Sequence, residues 1–254
     1  MVNEFVDAVQ FLTRIPVDVT DRRPSVGRAM PWFPLVGGIV GAIVGGGDDR
    51  WDPQPQHGRD AAAVAITIGL LVTGAFHEDG LGDTADAFGG GTTVDRRLQI
   101  LKDPRQGTYG VCAICASLLI RVACVASMPG PATMFATLVA AGTLGRASSL
   151  MVAARLPAAG YDGLGATAAG ELSQPAAWIS VIGAVGIAVL AVGWWAAPLA
   201  GAGIVAALVV GGLAMSRIGG VNGDVLGATE VVTECLCLVI AAGLATHGPL
   251  WWPI

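Results

Sequence analysis

Charge is what this chain has least of. Asp, Glu, Lys and Arg make up 13% of its 254 residues, where a soluble globular domain carries roughly 25%. That scarcity excludes an ordinary water-facing surface. Basic residues are sparse and nowhere form a cluster or a strip with interleaved aromatics, and the net charge is −5. Nucleic acid is thereby excluded as a partner. Histidine is limited to three residues and cysteine to five. Cys112 and Cys115 form a single C-x-x-C with no second pair and no nearby His, so neither a zinc site nor a redox pair is indicated. With Cys124, Cys235 and Cys237 they sit in apolar runs and are expected to be buried small side chains. A signal peptide is not expected. MVNEFVDAVQFLTRIP carries Glu4 and Asp7 where positive charge belongs, and its apolar positions recur at helical spacing. An amphipathic helix on a membrane surface fits that pattern.

What the chain does have is apolar length, with 54% hydrophobic residues and a mean hydropathy of +0.66. Crossing about 30 Å of hydrocarbon takes near 20 residues. Seven runs approach that length: 32–47, 61–76, 109–128, 132–154, 178–197, 199–216 and 231–251, the fifth and sixth divided only by Pro198. The expected fold is all-α, a polytopic membrane bundle of about seven spans plus an N-terminal interfacial helix, forming one domain over 1–254. Gly37, Gly41 and Gly45 recur every fourth residue, a spacing that lets helix backbones approach closely.

With the N-terminus inside, ten Lys and Arg residues fall on cytoplasmic segments and only Arg50 and Arg59 on the opposite side, while Arg121 and Arg146 lie within spans. The expected location is the plasma membrane. In this topology the loop after the second span and the loop around 217–230 share the cytoplasmic face and are placed to build one site.

The first of these loops reads HEDGLGDTADAFGGG, with Glu78, Asp79, Asp83 and Asp86 inside nine residues. On a helix, with Asp79 at zero, Asp83 falls at about 40° and Asp86 at about −20°, while Glu78 sits to one side at about −100°. Carboxylates crowded on one face repel unless a cation neutralises them. Hard oxygen ligands select Mg²⁺, or Mn²⁺, over zinc. Glu78, Asp79, Asp83 and Asp86 are therefore the expected metal ligands. Gly89 and Gly90 permit close backbone approach to an anion, and Lys102 and Arg105 in LQILKDPRQGTYG carry charge suited to a diphosphate. The second loop, SRIGGVNGDVLGATEVVTE, offers Asn222 and Asp224 as oxygen donors and runs into Glu230 and Glu234. An acid at such a depth marks a functional site by default.

FLTRIP, FPLVG, HEDGLGDTADAFGGG, RRLQILKDPRQGTYG and GGVNGDVLGA resemble, in this order and over nearly the whole chain, the cobalamin synthase (adenosylcobinamide-GDP ribazoletransferase) family. The resemblance implies a Mg²⁺-dependent membrane enzyme that joins adenosylcobinamide-GDP to α-ribazole or its 5′-phosphate with release of GMP. It implies catalytic roles for Asp83, Asp86 and Asp224, and substrate contacts from Gly89, Gly90, Lys102, Arg105 and Asn222. The implied partners are these small molecules and the lipid bilayer; a homo-oligomer is left open.

Two other classes compete. A CDP-alcohol phosphotransferase would carry D-x-x-D-G-x-x-A-R, whereas the acids here read D-x-x-x-D-x-x-D. A divalent-cation transporter would place its acids near mid-span. The aromatics Trp32, Phe33, Tyr109 and Tyr161 show no pattern that assigns them to a substrate.

Overall fold

The computed structural model describes residues 2–17, 24–46, 55–159, 168 and 171–248. These residues are almost entirely helical, and no strand forms among them beyond one isolated bridge between Ala158 and Val221. The helices are α1 (Val2–Leu12), α2 (Val26–Ala29), α3 (Phe33–Gly45), α4 (Pro55–Thr73), α5 (Phe76–Gly90), α6 (Val94–Ile100), α7 (Thr108–Ala126), α8 (Pro131–Arg155), α9 (Gln174–Val192), α10 (Ala196–Ile218) and α11 (Gly223–Ala245). Trp251, Tyr161, Arg22, Arg23 and Arg50 lie outside the described residues.

Helix α8 is the axis of the bundle, almost wholly buried and packed against α3, α9, α10 and α11. Its closest neighbour is α3, and the glycine stripe explains the fit. A Cβ at Gly41 would collide with the Leu138 carbonyl, and one at Gly45 would stand 2.8 Å from the Phe135 Cα. Between these backbones there is no room for a side chain, so dispersion contacts between main chains replace side-chain interdigitation.

Five helical stretches are long and apolar enough to cross a membrane, or six if α4 and α5, which meet at 88°, are counted as one bent span. The fifth and sixth runs both fall in the stretch Gln174–Ile218, which counts once by length and composition. Its two arms return to the same end of α8: Gln174 donates to the Ala154 carbonyl at 3.0 Å, and a Cβ at Gly211 would stand 2.9 Å from Leu156 Cδ1, so the stretch folds back into two helices. Its break falls at Gly193 (φ 59°) and a 3-10 turn, rather than at Pro198. Pro198 lies in the first turn of α10, where a missing N–H costs nothing.

The cysteines also differ from expectation. All five are free thiols, but Cys112 and Cys115 are exposed and only Cys237 is buried. Helix α7 is peripheral, so its outer face carries apolar residues away from the protein interior.

Helix α5 turns sharply from α4 because Gly74 (φ 67°) and Ala75 (φ 55°) both adopt the left-handed conformation. For Ala75 that conformation costs about 1 kcal/mol or more. The turn is tied down by the Arg14 amide, which donates to the Val72 carbonyl at 2.7 Å. It aims the acidic helix across the bundle, against α11 and α7.

Candidate functional site

The four carboxylates of α5 go to three different places. Asp86 is buried, and its two oxygens accept the backbone N–H groups of Gly107 (2.6 Å) and Gly110 (2.9 Å). Gly107 is the N-cap of α7, so these are amides the helix itself leaves without acceptors. Asp86 thus caps α7 from another helix. A Cβ at Gly107 would lie 2.5 Å from Asp86 Oδ1, which is why the sequence is glycine there. Glu78 leaves the shared face as the helical angle requires, and its Oε1 accepts from Arg121 Nη2 at 2.6 Å. Two of the four expected metal ligands are therefore engaged elsewhere, one by main-chain amides and one by a guanidinium.

Asp79 and Asp83 remain, and Asp224 joins them. Gln106 Nε2 donates to Asp83 Oδ1 at 2.8 Å and lies 3.5 Å from Asp79 Oδ1, orienting the pair. Asn222 caps α11, accepting the Val225 N–H at 3.0 Å, while its Nδ2 donates to Asp224 Oδ2 at 2.8 Å. Asn222 is thus expressed as a positioner of Asp224. The two helices meet closely, since a Cβ at Gly80 would stand 2.9 Å from the Asp224 carbonyl oxygen. Asp224 is within electrostatic reach of both Asp83 and Asp79. The loop before α11 is pinned by Ala159 N–H to Val221 O at 2.8 Å and Val221 N–H to Pro157 O at 2.9 Å. Gly219 (φ 74°) ends α10 so that this loop can turn back.

Among the described residues no three His, Cys, Asp or Glu side chains close into a ready-made ligand shell. The donor chemistry of Asp79, Asp83 and Asp224 nevertheless fits a hard divalent ion: three carboxylates from two helices, with no Cys or His among them.

A cavity of about 460 Å³ opens beside this group. Asp79, Asp224, Asn222 and Lys102 supply its polar side, and most of the remaining wall is apolar. Of the two basic residues expected at a phosphate, Lys102 lines this cavity. Arg105 does not line the cavity. Its side chain is 86% exposed and makes a bidentate pair with Asp103, 2.9 Å from Nε and 2.7 Å from Nη2. These hydrogen bonds hold the Asp103 carboxyl down at about 2. Gly89 and Gly90 are the last residues of α5. Gly89 packs on the Tyr109 ring and neither glycine lines the cavity.

Beneath the cavity runs a buried ion chain that the motifs alone did not disclose. His77 Nε2 meets Glu230 Oε2 at 2.5 Å, Arg146 Nη1 meets Glu230 Oε1 at 2.7 Å and Glu234 Oε1 at 3.0 Å, and Arg121 bridges Glu234 (3.4 Å) to Glu78. It links α5, α7, α8 and α11. The sequence signal was Arg121 and Arg146 inside apolar runs, with Glu230 and Glu234 one turn apart. What the sequence did not supply was the pairing.

Residues 4–242 match the family model described as cobalamin-5-phosphate synthase. The chain is 36% identical over 249 residues to the adenosylcobinamide-GDP ribazoletransferase of Bradyrhizobium diazoefficiens, covering 92% of this chain and 91% of the relative. It is 33% identical to the protein of the same name from Chlorobaculum tepidum, with 99% of each covered, and 35% identical to that of Ralstonia pickettii, with 91% of each covered. No solved structure matches it. The motif order, the helical membrane architecture and a match over nearly the full length agree: the chain belongs to the cobalamin-5-phosphate synthase family.

Proposed function

We propose that this protein is a Mg²⁺-dependent adenosylcobinamide-GDP ribazoletransferase of the plasma membrane, with Asp79, Asp83 and Asp224 holding the ion. The observation that carries the reading is the close packing of Asp224 on Gly80 of α5, next to Asp79, beside a cavity lined by Asp79, Asp224 and Lys102. In the reaction a ribose hydroxyl of α-ribazole forms a new bond to the phosphorus carrying cobinamide. The bond from that phosphorus to the GMP oxygen breaks, GMP leaves with the electron pair, and the hydroxyl proton is released. A divalent ion at the three carboxylates supplies shielding of the diphosphate and of the leaving phosphate. Lys102 adds a positive charge on the cavity wall, Gln106 and Asn222 orient the carboxylates, and Asp86 fixes the start of α7 against α5. Roles for Asp83 and Asp224 in catalysis follow; that of Asp86 is to hold the helix carrying Gln106's neighbours in place.

Purified protein supplied with adenosylcobinamide-GDP, α-ribazole and Mg²⁺ should release GMP stoichiometrically with the joined product. Product formation with CDP-alcohol donors instead, or cation flux without GMP release, would reject this reading.

The two candidate phosphate contacts separate in the same assay. Lys102→Ala should raise the KM for adenosylcobinamide-GDP roughly tenfold, the scale of one charge-assisted hydrogen bond of about 1.5 kcal/mol or more. Arg105→Ala should change it by less than about twofold, since an exposed ion pair contributes little. An equal loss in both variants would mean that Arg105 leaves Asp103 to bind substrate.

The cytoplasmic orientation is tested by single cysteines in a background lacking the five native ones. Positions 92 and 223, near the two acidic segments, should both react only with reagent supplied from the cytoplasmic side. Labelling of the two from opposite sides would contradict the orientation.

A further inference from the structure

The wall of the cavity is mostly apolar, and three phenylalanines form part of it. Phe11 stacks on Phe33 with ring centroids 5.5 Å apart and planes 10° from parallel, and Phe76 meets Phe11 edge-on at 5.2 Å. All three line the cavity, with Met30 and Leu150. The polar groups on the wall are unevenly placed and mostly spent. Ser149 Oγ donates to the Leu226 carbonyl at 2.7 Å, Asn222 holds Val225 and Asp224, and His77, Arg146 and Glu230 satisfy one another in the ion chain. Asp79, Asp224 and Lys102 are the polar side chains left to meet a ligand.

Two substrates compete for this space under the proposed function, on which the present inference rests. Cavities of roughly 300 to 1,000 Å³ enclose drug-sized ligands, so about 460 Å³ suits a nucleoside and not a corrin bearing a nucleotide. The guanine end of the larger substrate is the poorer fit, because under the proposed function Asp79 and Asp224 hold the ion and are not free to accept from its edge. Its edge carries several donors and acceptors, and burying them against Phe, Met and Leu leaves each without a partner. The base of ribazole is a dimethylated benzimidazole, flat and with no exocyclic polar group. Apart from its one free ring nitrogen, its removal from water against aromatic walls is favourable.

We propose that this cavity is the acceptor-nucleoside site: the alkylated benzimidazole lies among Phe11, Phe33 and Phe76, and the ribose faces Asp79 and Asp224. Adenosylcobinamide-GDP then approaches from outside the cavity, with only its diphosphate reaching Asp79, Asp224 and Lys102. The placement puts the nucleophilic hydroxyl beside the carboxylates that hold the ion.

Ala153, an apolar lining residue of α8, provides the test. In the full-length protein in detergent, Ala153→Trp should raise the KM for α-ribazole roughly tenfold or more while leaving that for adenosylcobinamide-GDP within about twofold, as expected for a filled apolar pocket. The opposite pattern, with the cobinamide substrate losing affinity and α-ribazole unaffected, would overturn the assignment. Calorimetric titration of the unaltered protein is independent of turnover and of that variant's folding. α-Ribazole should bind without the second substrate and be displaced by 5,6-dimethylbenzimidazole but not by guanosine. Displacement by guanosine, or no binding of α-ribazole, would place the base elsewhere. Absence of GMP release, with α-ribazole still bound and displaced in this way, would reject the proposed reaction and leave the site standing.

Discussion

Asp83→Asn should reduce GMP release by a factor of about 10² to 10³ or more, the scale on which loss of one preorganised electrostatic group slows an enzyme. The substitution keeps the size of the side chain and its contact with Gln106, and removes one of the three charges that would hold the ion. The comparison that gives the result meaning is Glu78→Gln. Glu78 points at Arg121 and away from the cavity, so its loss should act on stability before it acts on metal dependence. Steady-state rates as a function of Mg²⁺ and Mn²⁺ separate the two. Asp83→Asn should need more metal for its residual rate, and Glu78→Gln should keep the unaltered metal dependence. Near-normal turnover in Asp83→Asn would remove Asp83 from the site.

The largest effect on stability should come from Arg146→Met. The Arg146 side chain is 3% exposed and touches Glu230 and Glu234 together. The ion chain sets three carboxylates, Glu78, Glu230 and Glu234, against the two guanidiniums of Arg121 and Arg146, with His77 beside Glu230. Removing one partner of a buried ion pair costs about 3 to 5 kcal/mol, because the remaining charge stays desolvated without compensation. Thermal unfolding in detergent should show this loss, and Arg146→Met/Glu230→Gln should be less destabilised than the two single changes predict by addition. Strict additivity would mean that the two residues do not share an interaction. The network also explains a tolerance that the composition alone makes puzzling. Ionisable groups this deep in an apolar bundle are acceptable because each finds an opposite charge on a neighbouring helix.

How much of this was legible beforehand depended on whether the information was local. Apolar runs located the helices of the bundle, because twenty residues without charge have few other uses. The period of Asp79, Asp83 and Asp86 placed them on one helical face, and it also set Glu78 aside. Gly37, Gly41 and Gly45 were readable as a packing stripe. What spacing did not carry was which groups would meet. That Asp86 caps α7 depends on Gly107 and Gly110, more than twenty residues away, arriving in front of it. Arg105 was assigned to phosphate by charge, and Asp103 two residues earlier captures it by a purely local geometry that the spacing did not announce. The break between α9 and α10 was assigned to Pro198, yet a proline in a first turn is harmless and Gly193 takes the unusual backbone angle instead. Asp224 was recognised as a donor, while its arrival at α5 rests on Gly80 and on the Asn222 cap.

The central claim is that Asp79, Asp83 and Asp224 bind a divalent ion. It is tested most directly by titrating the full-length protein in detergent with Mn²⁺ and following the free ion by electron paramagnetic resonance. The unaltered protein should deplete the free signal to a saturating stoichiometry, with Mg²⁺ competing, and Asp79→Asn/Asp224→Asn should leave the signal at its protein-free level. Saturable, Mg²⁺-sensitive binding of undiminished affinity in that double variant would contradict the account.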